Sequence, residues 1–490
     1  MKISNVSIKN FRAIKKQPNI DFKKLTMLIG DNGCSKTTIL EAIHYCLSPS
    51  FLEDRIKPTD FYIGTDEPIE IVVEFDDNFG AILYDGYDPK EEICRKVFLQ
   101  IKKRDKASAK AFSDGFVVTH YVVPERDKND EKGWVLERMG GKSDFKFSER
   151  ALSFSSGVET KGLPRSFYYN KERDKQVYRG FKTSINRIFE DFNWRFARGL
   201  RKENADLEEG QEKFVHRKVA IEKEIKGKVD DKMESTIREM NKKLTSLGLH
   251  EVDVSIFDGA TPFDSAFLHQ KVEELELPIS NLGSGVEMIV SLMLLETLSA
   301  LTKEDFLVII DEPEMHLHPT LQSKFIAYLK TLSKNNQVII STHSPYFFKN
   351  CSGNVHIELI VAKKEDAGIS ISNTGDGTFG LFPWSPSWGE INYVAFNLPT
   401  IEFHNELYGF LQEDKNAGTT NLIEAFFTAN AQVQSKNWIR QNAQGVAQPA
   451  ELITLMTYIR HSIHHPENPN NAIFTDPELK ASIDIMIGLC

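Results

Sequence analysis

The chain has 490 residues, 41% of them hydrophobic, with 60 Lys and Arg against 70 Asp and Glu for a formal charge of −10. At roughly 100–200 residues per domain this predicts two to four domains with sizeable cores, and the acidic balance excludes a global basic coat for nucleic acid. The five cysteines (Cys34, Cys46, Cys94, Cys351, Cys490) form neither a CxxC pair nor a disulfide framework, so a reducing, cytoplasmic setting is expected. No signal-peptide run and no stretch of about 18 apolar residues occurs, so no membrane span is expected.

Residues 1–30 alternate as strands do and end in Leu28-Ile29-Gly30 before a glycine-rich turn. Apolar residues from Thr37 to Leu47 repeat at helical spacing, and Glu67 to Phe75 reads as a further strand. From about 80 to 265 the sequence is more charged and less periodic. Within it, Arg201 to Lys243 is rich in Glu and Lys and poor in Gly and Pro, which suggests long exposed helices: a solvated face or a docking arm. Core-like sequence returns after about 275. Ser284 to Leu301 reads as a buried helix, while Phe306 to Glu312 and Gln337 to His343 read as fully buried strands of a parallel sheet. Early and late strands of one sheet imply one domain with a large insertion. The Pro- and Trp-rich stretch Leu381 to Glu390 marks a boundary. Four helical segments are predicted around and beyond it: Glu390–Asp414 (bent near Pro399), Thr420–Val433, Pro449–His465 and Pro477–Leu489. The expected organisation is a head built from 1–80 and 275–375, an insertion over 81–274 with a helical arm at about 200–245, and a C-terminal helical domain over 376–490.

Gly30-Asp31-Asn32-Gly33-Cys34-Ser35-Lys36-Thr37 lies between a predicted strand and a predicted helix, the context of a P-loop. Backbone N–H groups of Gly30, Asn32, Gly33, Cys34, Ser35 and Thr38 would surround phosphates at a helix N-terminus, Lys36 would reach the outer phosphates, and Thr37 would hold Mg2+. Ser35 stands where a glycine usually precedes the lysine. The apolar run from Phe306 ends in Asp311 and Glu312, a Walker B arrangement. Asp311 would orient a magnesium-bound water shell and Glu312 would act as general base. Pro313 to Pro319 follows as a D-loop does, and His343 in Ser341-Thr342-His343-Ser344-Pro345 is a switch histidine candidate. Asn281-Leu282-Gly283-Ser284-Gly285-Val286-Glu287 opens a helix where an ABC signature belongs, so Gly283, Ser284 and Gly285 would meet the phosphates of a second subunit's nucleotide.

With Asn10-Phe11-Arg12-Ala13-Ile14, these segments resemble the SMC, Rad50 and OLD-like branch of ABC ATPases over about residues 1–80 and 275–360. The resemblance implies an α/β ABC-type P-loop ATPase head with a mixed α/β insertion and a C-terminal all-α domain. It further implies ATP and Mg2+ as ligands and Arg12 near the nucleotide. One P-loop and one signature per chain imply a head-to-tail homodimer or larger even oligomer. No Q-loop is recognised, and the Glu and DxD of the TOPRIM nuclease carried by OLD proteins are not found.

Arg460 and His465 flank four residues, with His461 directly after the arginine, and this resembles the R-x4-6-H motif of HEPN ribonucleases. That likeness assigns proton transfer to the histidines and stabilisation of a charged phosphorane to Arg460, with Glu406 as a further candidate. The competing reading is helix capping. Cationic side chains oppose the negative end of a helix that Pro466 terminates, and the tail's acidic excess suits phosphate binding poorly. An ABC head with a HEPN domain resembles the anticodon nucleases of bacterial phage defence. Three functions therefore stay open: a nucleotide-gated RNase acting on tRNA or other RNA; a Septu- or PARIS-like sensor ATPase that binds DNA or a phage protein and controls a separate effector nuclease; and a DNA-repair ATPase. The short Glu/Lys segment and the lack of a zinc-hook CxxC argue against the last.

Overall fold

A computed structural model describes residues 1–47, 52, 56–85, 88–103, 116–125, 134–138, 145–149, 163–170, 236–257, 265–272, 275–278, 283–302, 306–315, 317–344, 347, 357–365, 368–373, 379–442 and 444–490. Residues 200–235 of the expected arm, and Asn281, Leu282, His316 and Pro345 of the motifs, lie outside the described residues. The chain divides into two compact units, one comprising Met1–Leu28, Ser35–Phe347 and His356–Glu358, the other Ile29–Cys34, Phe348–Val355 and Leu359–Cys490.

The described residues of the first unit form two larger sheets and a smaller one. β1 (Ile3–Phe11) and β2 (Ile14–Asp21) form a hairpin, and β3 (Leu25–Ile29) leads to the P-loop. β4 (Ile69–Asp85), β5 (Asp88–Lys103), β6 (Phe116–Pro124), β7 (Trp134–Arg138) and β8 (Phe145–Glu149) extend the hairpin into a seven-stranded antiparallel sheet ordered β2-β1-β4-β5-β6-β7-β8. Ile69, Ile71, Val73 and Phe75 of β4 are buried at every second position, the period of a strand with one face on a core. β4 runs through residue 81, so the head and the first part of the insertion share this sheet.

The second sheet contains β9 (Arg165–Tyr169), β13 (Phe306–Asp311) and β14 (Gln337–Thr342), with neighbours ordered β3-β14-β13-β9. Both β9 and β14 pair in parallel with β13, and all six residues of β13 and of β14 are buried, as expected for parallel strands covered on both faces. β9 comes from the stretch read as insertion. A separate antiparallel sheet holds β10 (Val252–Phe257), β11 (Ser265–Val272) and β12 (Leu275–Pro278). Helix α1 (Lys36–Leu47) packs between the two larger sheets, touching β1, β4 and β5 on one side and β9, β13 and β14 on the other, which is why eight of its twelve residues are buried. Its C-terminal turn is pinned by His120 Nε2 on the Tyr45 carbonyl at 3.0 Å. Helices α2 (Ser284–Thr302) and α3 (Pro319–Leu332) also belong to this unit.

The second unit contains the hairpin of β15 (Ile357–Glu365, from Leu359 on) and β16 (Gly368–Asn373), followed by a helical domain. Its helices are α4 (Trp388–Phe396), α5 (Ile401–Asp414), α6 (Thr420–Ala429), α7 (Leu455–His464) and α8 (Asp476–Ile487). Phe403, Leu407, Leu411, Ile423, Phe427, Met456, Ile459, Ile483 and Met486 form its core. The bend expected near Pro399 is a break: Asn397 closes α4 in the left-handed region and the Thr400 side chain caps α5. The helix expected from Pro449 starts at Leu455, because Glu451–Ile453 is strand β18, paired with β17 (Lys436–Trp438). The domain is thus helical with one short hairpin. No helix among the described residues is long and apolar enough to cross a membrane.

Candidate nucleotide site

The loop from Gly30 to Thr37 has the backbone of a phosphate cradle. Gly30, Gly33 and Ser35 have φ of 140°, 76° and 68°. Gly30 is held against the β15 backbone, where an added Cβ would lie 2.0 Å from the Ala362 oxygen. Cys34 is fully buried and its Sγ donates to the Asp31 carbonyl at 2.7 Å, so this residue offers the loop its backbone rather than its thiol. Asn32 and Gly33 are exposed, while Ser35, Lys36 and Thr38 are buried. Ser35 is an L-residue in the left-handed region, which costs roughly 1–2 kcal/mol. Ser35→Gly relieves that strain against a loss of about 0.4–1 kcal/mol through the freer unfolded chain. A net gain of about 0.5–1 kcal/mol is expected as a raised melting temperature; an unchanged or lowered one would contradict the strain.

Thr37 and Asp311, which are 274 residues apart, converge. Thr37 Oγ1 donates to the two Asp311 carboxylate oxygens at 3.2 and 3.0 Å. Asp311 is fully buried at the end of β13 and also accepts a short hydrogen bond from Ser341 Oγ. Among the described residues no group of three or more His, Cys, Asp or Glu is placed to hold a metal ion. The hydroxyl and carboxylate oxygens fit magnesium, which takes few protein ligands and completes its shell with phosphate oxygens and water. Thr37 and Asp311 are the residues that would hold it, and when bound it would offset charge on the transferred phosphoryl group.

Glu312 follows with φ of 49°, a left-handed conformation for a bulky residue. Its N–H donates to the Ser341 carbonyl at 3.2 Å and lies 3.0 Å from Ser341 Oγ. Such backbone strain clusters where a side chain must be aimed. Glu312 Oε1 lies 3.9 Å from His343 Nε2, so the predicted base and the predicted switch histidine share one edge of the sheet. Arg12, with φ of 52°, is bound by Asp60 (Nε to Oδ1 2.8 Å) and by Glu41, one turn along α1 from Thr37. Burial raises the Glu41 carboxyl above its usual range despite the opposing charge of Arg12. Gly283, with φ of 92°, is exposed at the start of α2 and accepts the Glu287 N–H at 3.2 Å; Gly285 is buried in the first turn.

Sequence reading missed three participants. Ser341 was singled out only as a neighbour of His343, yet its hydroxyl fixes Asp311. Glu41 was counted as one residue of a helix, and its i+4 spacing from Thr37 was the available signal. β9 ends beside the site: Tyr169 is in register with Ile310, so Asn170 follows alongside Asp311. The five residues of β9 carry no periodic signal that distinguishes them from loop.

The C-terminal candidates separate into two groups. Arg460 Nη1 donates to Asn405 Oδ1 at 2.8 Å and lies over the Tyr408 ring at 5.6 Å. His464, four residues on, shares that side of α7. His461 and His465 instead lie beside Trp438, with ring centroids 5.2 and 6.4 Å away. His465 caps the helix and its Nδ1 is 3.4 Å from Glu467 Oε1. Arg460 and His465 are therefore not brought together within one copy. Glu406 takes no part in either group: it accepts from Trp384 Nε1 (2.8 Å) and Ser387 Oγ (2.6 Å).

His404 is buried on α5 with Nε2 2.9 Å from Ser482 Oγ; burial, then the charge of Arg460, lowers it to about 3. Burial also lowers His461 to about 4. An unfolded histidine titrates near 6.5, so below that pH the unfolded chain binds more protons than the folded one. The stability contributed by these neutral rings is full above about pH 6.5 and is lost as pH falls toward 4 and 3, at up to about 1.4 kcal/mol per pH unit for each group. Urea unfolding followed by circular dichroism should show this slope, and His404→Leu should reduce it; an identical slope in the variant would count against the assignment.

A Gly-rich cradle before a helix, a lysine and a threonine at that helix's start, and a buried aspartate followed by a strained glutamate define a P-loop ATPase. The family model for the AAA ATPase domain matches residues 1–348, and the chain belongs to that family. It is 25% identical to the OLD nuclease of Thermus scotoductus over 357 residues, covering 70% of this chain and 59% of the relative, so it spans less than two thirds of that protein's length. It is 24% identical to the Retron Vc95 probable ATPase of Vibrio cholerae, covering 70% of this chain and 71% of the relative. Septu protein PtuA of Bacillus thuringiensis is 23% identical, with 85% of this chain and 90% of the relative covered. A solved SMC head bound to the C-winged helix domain of ScpA has a TM-score of 0.43 at 13% identity, covering 76% of this chain and 97% of that one.

Proposed function

We propose that the chain is an antiphage-defence ATPase in which binding and hydrolysis of ATP gate a nucleic-acid-directed response. The observation that carries the reading is the convergence of Thr37, Asp311 and Ser341 beside Glu312 and His343. Lys36 and the loop N–H groups grip the triphosphate, Glu312 takes a proton from the attacking water, and His343 orients the γ-phosphate. One P-loop and one signature segment per chain support a head-to-tail homodimer or larger even oligomer, with Gly283, Ser284 and Gly285 of one copy closing the other's site.

The output is control of a separate effector nuclease. Similarity to PtuA along most of both chains supports it, as does the divergence of Arg460 from His465. A second reading, a HEPN-like RNase in the C-terminal domain, is favoured by one observation: the buried Nε2 of His461 has no hydrogen-bond partner among the described residues, as a ring awaiting a ligand would. Phage plaque assays and incubation of the purified chain with tRNA and other RNA separate the two. The first reading expects intact RNA and full protection by Arg460→Ala and His465→Ala. RNA cleavage by the wild type that those variants lose would replace it with the second.

A further inference from the structure

Beyond the β13–β14 pairing, two side chains that the nucleotide motifs leave unassigned tie the segment carrying His343 to the segment carrying Glu312. Glu314 is half-buried, and its Oε1 accepts the backbone N–H of His343 at 2.6 Å. Gln322 on α3 forms the second tie. Its Nε2 donates to the Leu317 carbonyl at 2.9 Å and the Glu314 carbonyl at 3.4 Å, while its Oε1 accepts from Ser344 Oγ at 2.6 Å. Residue 343 is thus bonded directly to the loop that leaves Glu312, and residue 344 is linked to it through Gln322.

Glu314 gains little stability from this position. Burial raises the carboxyl above its usual range, while hydrogen bonds from the His343 N–H and the Thr342 hydroxyl oppose that shift. A carboxyl largely removed from water typically contributes less than a well-packed apolar side chain of the same size. What the carboxyl supplies, and an apolar group cannot, is an acceptor for the His343 N–H. That bond sets where the His343 backbone sits relative to Glu312, and hence the 3.9 Å approach of Nε2 to Oε1.

We infer that Glu314 is a positioning residue for ATP hydrolysis: it fixes the switch-histidine backbone against the general-base loop, with Gln322 as a second clasp on Ser344. The inference rests on reading Glu312 as the base and His343 as its neighbour at the γ-phosphate. Misplacement of a reacting group by about 1 Å can cost on the order of 100-fold in rate, so an effect on kcat rather than on ATP affinity is expected.

The test measures kcat, KM and the equilibrium Kd for ATP in the full chain, with kcat expressed per ATP-binding site. Glu314→Gln keeps an acceptor oxygen and should hold kcat within about threefold of wild type. Glu314→Leu removes the acceptor and should lower kcat by about 10–100-fold while Kd changes little. Equal kcat per site in Glu314→Leu and wild type overturns the inference. So does an equal loss in Glu314→Gln, or a fall in turnover that merely tracks lost ATP binding. If Glu314→Leu does not fold, Gln322→Leu carries the test: it should lower kcat in the same direction, and an unchanged value overturns the proposal. Glu312→Gln run in parallel separates the two levels, since full turnover there removes the assigned base whatever Glu314 does.

Discussion

Glu312→Gln should lower ATP turnover by about 100- to 10,000-fold and leave ATP affinity within a few-fold of wild type. The amide matches the carboxylate in shape, so the backbone bonds of residue 312 to Ser341 persist. Asp311 keeps its hydroxyl partners Thr37 and Ser341. The phosphate grip proposed for Lys36 and the loop N–H groups is not touched by the substitution. Only the proton acceptor is lost. Phosphate release under saturating ATP, set beside equilibrium ATP binding, reads the two quantities separately. Unchanged turnover would remove Glu312 as the base.

Gly30→Ala should abolish nucleotide binding and cost about 3 kcal/mol or more of stability. Two effects add. The residue has φ of 140°, where any L-side chain is strained, and the new Cβ would sit 2.0 Å from the Ala362 oxygen and 3.0 Å from Cys34 Sγ. Ala362 is fully buried in β15 and has no room to retreat, and overpacking of a close-packed site typically costs about 1–3 kcal/mol by itself. Gly33→Ala is the matched control: it shares a positive φ of 76° but has nothing within 4 Å of its added Cβ, so it should cost only about 1–2 kcal/mol. Melting temperatures and ATP titrations of the two variants should differ accordingly; equal effects would show that contact with β15 does not shape the loop.

The parts of the site legible in the sequence were those whose signal is local. Phe306–Asp311 and Gln337–Thr342 announced themselves as continuous apolar runs because parallel strands are covered on both faces. The P-loop announced itself through glycine spacing and the helix behind it. β9 did not, because five residues become a core strand only through pairing with β13, some 140 positions away. The strain at Ser35 was half visible: the residue type was noted, but its φ of 68° is set by the loop. In the C-terminal domain, spacing along one helix does not by itself define a site. Residues five apart on a helix point about 140° from one another, so an R-x4-H match does not bring its ends together, and here the two side chains meet Asn405 and Trp438 respectively. Strands of three residues, such as β17 and β18, fall below what alternation can signal.

Every proposed step requires Lys36 and its loop to bind a nucleoside triphosphate. Calorimetric titration of ATP with magnesium into the wild-type chain and into Lys36→Ala tests it directly. One saturable site per wild-type chain, lost in the variant, is the predicted result; no binding heat in the wild type, or undiminished affinity in Lys36→Ala, would contradict it.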